Sequence, residues 1–427
     1  MTRISRRAFL KSSGGTATLG VLAGCAGGGD GGDGNGGGDG NGGGGGDGGG
    51  ATTGTSGDGG SSEPITIGAL EPVSGPFAAW ATPHRDGLQF AVDEINANGG
   101  VLDGRELTVN VTDTGADPSQ ADSSFRRLVE QEGAVATTGS VSSDVGLRVS
   151  QTAEELQVPH LLHMAGADEI ISQDTRHVFR VGLLPASKYI QAQASAFSDA
   201  GYSKVGAIIG DYAWGRSAQS AINEFFDVDV DVKVAPVGAS DFSSYIRQFD
   251  SDLEMLIASG HPPGAVSIAN QAYELGLEPD VVTGASAPPQ LLAGALSDRA
   301  IQDFVHIHNS NPYEEAFAQA GSNFAGEYEM QFNTHTAYGY VTAYILAAGI
   351  EEAGSADPTA IADAVRNTSV DTLFAEPIQW NQYGELDQQV VLFSNLKLEA
   401  PSYDSNGDHS YAEVFRSEPV PARVPGE

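Results

Sequence analysis

The chain of 427 residues carries 56 Asp and Glu against 21 Lys and Arg, a formal charge of −35. That balance excludes nucleic-acid binding by phosphate neutralisation, which needs clustered cations, and the single cysteine excludes an intramolecular disulfide or a cysteine-based metal cluster. Gly is abundant, yet 22 of the 35 positions from 26 to 60 are Gly, so the excess is local and residues 63–427 read as ordinary globular chain, enough for two domains.

The N-terminus reads Ser5-Arg6-Arg7-Ala8-Phe9-Leu10-Lys11 before a modestly apolar stretch over 14–24, the pattern of a twin-arginine export signal. That stretch is too short to span a hydrocarbon core, which takes about 20 residues. It ends in Leu22-Ala23-Gly24-Cys25, which resembles the lipobox of bacterial and archaeal lipoproteins. The resemblance implies that Cys25 is lipidated and becomes the mature N-terminus; an incidental thiol is the alternative. Two acyl chains hold a domain on a membrane where one holds it only marginally. Residues 26–62 are rich in Gly and Asp and lack apolar periodicity, so they are expected to form a disordered tether reaching roughly 35 Å root-mean-square. Losing residues 1–24 removes Arg3, Arg6, Arg7 and Lys11 and no acid, leaving 17 basic side chains against 56 acidic ones, −39. Lysine occurs only at 11, 188, 204, 233 and 397. Such acidity suits concentrated salt, where screening to about 3 Å at 1 M suppresses self-repulsion, and points to a halophilic, haloarchaeal source. Steering of cationic ligands is the other reading.

The globular part alternates strand and helix. A strand over 65–70 ends in the loop Glu71-Pro72-Val73-Ser74-Gly75-Pro76, and Leu88, Ala91, Val92 and Ile95 mark a helix that Gly99-Gly100 stop. A strand at 107–111, helix at 120–132, strand at 134–138, helix at 143–156 and strand at 160–162 follow. After Phe179-Arg180-Val181 a second series predicts helices over 189–200, 218–226, 245–249 and 265–275, alternating with strands over 205–209, 230–234, 255–258 and 281–283. Helical stretches cover 337–353 and 359–366. This alternation predicts an α/β fold with parallel sheets and helices on both faces, in which ligands bind beyond the C-terminal strand ends. Two series of similar size imply two lobes with a cleft. The longest apolar run, 338–350, is broken by Gly339 and Gly349 and falls short of a membrane span.

Several motifs stand in order: Ser74-Gly75-Pro76; Ala91-Val92-Asp93-Glu94-Ile95-Asn96-Ala97-Asn98-Gly99-Gly100 with Gly104-Arg105-Glu106-Leu107 behind it; residues 113–118 and 139–143; Val158-Pro159; Val178-Phe179-Arg180; and Gly210-Asp211-Tyr212-Ala213-Trp214-Gly215. Together, over residues 65–395, they resemble the leucine/isoleucine/valine-binding family of ABC-importer solute receptors. The resemblance implies the type I periplasmic-binding-protein fold: two doubly wound parallel-sheet lobes joined by three crossover segments, near 181–184, 305–312 and 371–376. Lobe 1 would be 64–182 plus 312–372, and lobe 2 would be 183–306 plus 374–427. Hinge closure captures the ligand.

Ser142 and Ser143 end a strand and begin a helix, where hydroxyls beside free helix amides make an anion site. In the family the position matching Ser143 contacts the amino-acid carboxylate; plain N-capping is the alternative for both. The resemblance places Trp80 of the first loop, and Trp214 of the opposing lobe, as an aromatic clamp on the ligand; packing of Trp80 on its own lobe is the alternative. Two departures stand out. Gly166 occupies the family's usual threonine position, leaving the backbone amides of Ala165 and Gly166 as donors. Ser286 occupies the position of the acid that binds the ammonium, and a serine cannot neutralise a buried ammonium. Asp168, Glu169 or Asp211 are the candidate substitutes. Ser286 and Tyr212 are read as polar contacts from the second lobe.

No phosphate loop, nucleophile elbow or His-Glu-x-x-His is present, so no enzyme, cofactor or metal is expected; the pairs His306/His308 and His160/His163 read as polar crossover residues. The expectation is a monomeric, lipid-anchored receptor on the outer face of the membrane, passing a small molecule to permease and ATPase subunits. A ligand-sensing lipoprotein is the alternative, although sensors normally continue into a membrane helix and signalling domain and this chain stops at Pro425-Gly426-Glu427. The other alternative is a receptor for an amide, a urea-like solute or a small organic acid.

Overall fold

The computed structural model describes residues 63–426 apart from 199, 261–263, 285 and 372, together with the backbone of 2–4. The expected export signal over 5–24, Cys25 and the expected tether over 26–62 lie outside the described residues.

The first series builds a five-stranded parallel sheet. Strand β1 (Ile65–Glu71) is flanked by β2 (Leu107–Asp113) and β3 (Ala136–Gly139), and the order β2-β1-β3-β4-β5 is completed by β4 (His160–Leu162) and β5 (Val178–Arg180). In register, Ile67 stands opposite Val109 on one side and Ala136 on the other. β1 is buried along nearly its whole length, as a central parallel strand covered on both faces must be. Helices α1 (Ala78–Ala97), α2 (Pro118–Glu130) and α3 (Ser143–Leu156) connect these strands. The start of α2 is set by Asp117, whose carboxylate accepts the Gln120 amide, and by Pro118 in the first turn.

Helix α1 starts at Ala78, well before Leu88. Proline in a helix interior removes a hydrogen bond. Here Pro83 lies inside the helix, and the N–H it lacks is the one that would reach Ala79. The consequence is that Trp80 belongs to the first turn of a helix and not to a loop.

The second series forms a seven-stranded sheet. It contains β6 (Val205–Gly210), β7 (Val230–Ala235), β8 (Met255–Ser259), β9 (Val281–Gly284) and β10 (Phe304–His308) in parallel. A short strand Thr368–Val370, here β11, lies outside that sheet. Two strands, β12 (Leu392–Lys397) and β13 (Ser410–Arg416), add to β10 in antiparallel sense. The order is β13-β12-β10-β9-β8-β6-β7. The fold class is the expected two-lobed α/β arrangement, with this antiparallel edge in place of a purely parallel sheet. Helix α4 (Ala186–Ser198) follows the first crossing and α5 (Ala213–Phe225) follows β6. Trp214 therefore sits in the first turn of α5, again a helix residue where a loop is expected.

A long helix, Thr334–Ala353, is buried on almost every side and packs along α1. The contact is close because Gly87 and Gly339 face backbone of the opposite helix, at Thr336 and His84, where no Cβ fits. Residues 380–385, which the expected division gives to lobe 2, bond to the first sheet. Trp380 Nε1 donates to the Arg180 carbonyl at 2.7 Å, and the Arg180 amide donates to the Gly384 carbonyl at 3.0 Å.

Candidate functional site

The C-terminal ends of strands from both sheets converge on one cavity. From the first sheet come Phe77 and Trp80 after β1, Val141 and Ser143 after β3, and Met164 after β4. Leu183 enters from the first crossing. From the second sheet come Tyr212 and Trp214 after β6, Gly260 and Ala265 after β8, and Ser286 and Ala287 after β9. Strand ends are where an open parallel sheet leaves a crevice. The volume open to the centres of water-sized spheres is about 40 Å³. A water needs about 10–15 Å³ on that measure, so the cleft encloses room for a small molecule.

The wall is apolar and aromatic with three hydroxyls, and no charged side chain lines it among the described residues. Trp80 and Trp214 approach from opposite sheets and are 6 % and 3 % exposed. Each indole N–H is already used. Trp80 Nε1 donates to the Ser286 carbonyl across the cleft at 2.9 Å, and Trp214 Nε1 donates to Ser259 Oγ at 3.0 Å. Both rings therefore offer a ligand their faces and edges and no hydrogen bond. Phe77 stands edge-on to Trp80 at 6.0 Å, and Tyr189 stands edge-on to Trp214 at 5.6 Å.

Ser143 Oγ accepts the amides of Gly166 and Ala167, both at 3.1 Å. With its acceptor capacity so engaged, its own proton remains to donate, which calls for a carbonyl or carboxylate oxygen on the ligand. Burial, and next the Asp144 carboxylate, hold the Tyr212 phenol far above its ordinary pKa, so it is protonated at any physiological pH.

Beneath the loop 165–167, the fully buried Arg180 donates to the Ala165 carbonyl at 2.6 Å and the Ala167 carbonyl at 2.7 Å. Its Nε pairs with Glu385 at 2.6 Å. Burial raises the Glu385 pKa, and the Arg180 charge opposes that. Arg180 thus positions the turn that carries Gly166. It stands in a recognisable strand motif, but nothing local in the sequence marks it as a support for the cleft.

Of the residues singled out from sequence, the structure brings Trp80, Ser143, Tyr212, Trp214 and Ser286 to one cavity. Three others are not on its wall. The Ala165 amide donates to the Ser140 carbonyl at 3.0 Å and the Gly166 amide to Ser143, so neither is a donor awaiting a ligand. Ser142 supplies its carbonyl to Gly146, and its side chain makes no capping bond. The substitute acids are also placed elsewhere. Asp168 accepts the Ser187 amide, Glu169 accepts the Ser217 hydroxyl, and Asp211 is exposed near Arg216. Phe77, Val141, Met164, Leu183, Gly260, Ala265 and Ala287 were not singled out, although most directly follow strand ends.

Fold and site together define a two-lobed receptor that encloses a small molecule between its sheets. A family model described as periplasmic binding protein matches residues 64–396, so the chain belongs to the periplasmic binding protein family, and it binds rather than transforms. It is similar to a Leu/Ile/Val-binding protein of Rhizobium johnstonii, 26 % identical over 350 residues that cover 79 % of this chain and 92 % of that protein. It is similar also to the leucine-, isoleucine-, valine-, threonine-, and alanine-binding protein of Pseudomonas aeruginosa, 26 % identical over 330 residues, covering 73 % and 84 %. The fold matches a leucine-binding protein from Thermotoga maritima with a TM-score of 0.70 at 21 % identity, covering 83 % of this chain and 99 % of that one. It matches an ABC-transporter solute-binding protein from R. palustris in complex with benzoate, with a TM-score of 0.70 at 20 % identity, covering 85 % and 98 %.

Proposed function

We propose that this chain is the solute receptor of an ABC importer of the leucine/isoleucine/valine-binding type, exported by the twin-arginine route and held outside the cell membrane through a lipidated Cys25. It works as a monomer, closes its two lobes around a solute and delivers it unaltered to permease and ATPase subunits. The moving bodies are 64–182 plus 312–372 and 183–306 plus 374–427, with 380–385 travelling with the first. The observation that carries this reading is the convergence of Trp80, Ser143, Tyr212, Trp214 and Ser286, from two sheets, on one cavity. Contacts to both lobes favour the closed form.

The wall favours a cargo other than an α-amino acid. No carboxylate among the described residues lines the cavity, and a buried ammonium without a partner is strongly disfavoured. Ser143 asks for an acceptor oxygen, and the indoles ask for an apolar or planar body. A small amide, a urea-like solute or a small organic acid meets those demands. The amino-acid reading keeps the support of the curated relatives, whose names record leucine, isoleucine and valine. A thermal-shift screen in molar salt decides between them. Acetamide, urea or a small carboxylic acid is expected to raise the melting temperature and leucine is not. Stabilisation by leucine alone would overturn the cargo assignment, and turnover of any bound solute would overturn the receptor assignment.

A further inference from the structure

Four ionisable side chains from separate stretches of sequence meet beneath the cleft. Glu71 ends β1, His84 lies one turn beyond Trp80 in α1, His163 precedes Met164, and His335 opens the helix Thr334–Ala353. All are at most 1 % exposed. Glu71 Oε1 and His84 Nδ1 are 2.6 Å apart, the His84 and His163 rings stack at 4.0 Å, and His163 Nε2 lies 3.2 Å from His335 Nδ1. Four polar atoms of the group have no hydrogen-bond partner: Glu71 Oε2, His84 Nε2, His163 Nδ1 and His335 Nε2.

We propose that Glu71, His84 and His163, with His335 as fourth donor, form a buried binding site for a divalent transition-metal ion of the zinc class. One donor atom from each of the first three lies within 4.8 Å of the others. One carboxylate and three imidazoles are the oxygen and nitrogen donors that such an ion takes in four-coordinate sites. Lone pairs are at hand. When His84 donates Nδ1–H to Glu71, its Nε2 is bare; in the His163–His335 contact the donating ring has a bare far nitrogen, and the accepting ring offers the nitrogen freed when that contact opens on binding. Bonds of about 2.0–2.1 Å set donors roughly 3.3 Å apart, so binding draws the group together and turns one imidazole out of the stack. A cation there also meets the buried Glu71 carboxyl group, which no Lys or Arg side chain contacts among the described residues.

The site sits where it acts on the cleft. The His163 carbonyl accepts the Leu183 amide at 3.1 Å, and both Leu183 and Met164 line the cavity. Tying α1, the turn after β4 and the start of the long helix to one ion stiffens that wall. This inference does not depend on the identity of the cargo.

The test uses full-length protein stripped with a chelator and held in molar salt. Calorimetric titration with Zn²⁺ alone is expected to give one ion per chain, and a hundredfold excess over Kd is expected to raise the melting temperature by about 3–5 °C. Co²⁺ in its place is expected to give the visible absorption of a four-coordinate site. The double variant H84Q/H163Q is expected to lose both signals. H177Q, which alters a histidine paired with Glu154 outside the cluster, is expected to keep them. No stoichiometric uptake by the wild type, no cobalt band, or uptake unchanged in H84Q/H163Q would each overturn the site. Should the double variant misfold, the wild-type cobalt spectrum decides.

Discussion

The Trp214 ring stands where a side chain on Gly166 would have to be. A Cβ built on Gly166 lies 2.5 Å from Cζ3 and 2.7 Å from Cε3 of Trp214, and 2.9 Å from Leu183 Cδ2. The glycine follows a strand of the first sheet and the tryptophan a strand of the second. The missing hydroxyl at 166 and the aromatic at 214 are therefore one feature: the indole from the opposite lobe fills the space, and closure brings it there.

G166T is accordingly expected to hinder closure. Overpacking of this kind costs about 1–3 kcal/mol, or roughly 5–150-fold in affinity. Calorimetry with the cargo found in the screen measures the loss, and the double variant G166T/W214A is expected to regain part of it. Equal losses in single and double variants would place the effect elsewhere.

S143A removes the acceptor of two loop amides and, among the described residues, the one hydroxyl that faces the cavity from the first lobe. The expected cost is about 1–3 kcal/mol, seen as weaker binding. S142A, off the wall, is expected to bind as the wild type does.

W80F keeps the aromatic body and deletes the Nε1 bond to the Ser286 carbonyl. A single neutral hydrogen bond contributes about 0.5–1.5 kcal/mol net, so ligand dissociation is expected to quicken about 2–10-fold with little change in unliganded melting temperature. Stopped-flow release of ligand reads this directly.

Burial pushes the His308 pKa down to about 4, partly offset by its bond to the Ser310 carbonyl. The unfolded chain titrates near 6.5 and so binds the extra proton first as pH falls. Stability is thus full above about 6.5 and is lost progressively between there and about 4, by about 3 kcal/mol in all. Urea midpoints from pH 7 to pH 4 are expected to fall less steeply for H308Q.

C25S is expected to release the protein from membranes, because the proposed anchor is the acyl chains on that sulfur. Fractionation of cells expressing each form reads the outcome, and unchanged retention would remove the anchor.

Element order was readable because apolar spacing reports which face of each strand or helix is buried; α3 and β4 match their expected bounds at 143–156 and 160–162. The starts of α1 and α5 were not readable. The first turns carrying Trp80 and Trp214 are held by packing that local spacing does not encode. The antiparallel strands Leu392–Lys397 and Ser410–Arg416 do not show in local spacing: the first, paired on both sides, is buried at most positions, and the second is an edge strand with little buried surface, so neither alternates apolar with polar. At the site, the family resemblance pointed to five wall residues, whereas the partners of the Ala165 and Gly166 amides, Ser140 and Ser143, lie elsewhere in the chain and do not show in local sequence.

What the sequence determined by itself is what near neighbours decide: alternating strands and helices, the apolar composition of the strands, and the acidic balance. Tertiary structure decided the rest. Whether an amide is free, whether an indole meets ligand or glycine, and whether Glu71, His84, His163 and His335 form a group all depend on approach between residues far apart in the chain. Folding sets those distances through the packing of two sheets and the long helix, and hydrogen bonding and steric exclusion act only at such contact.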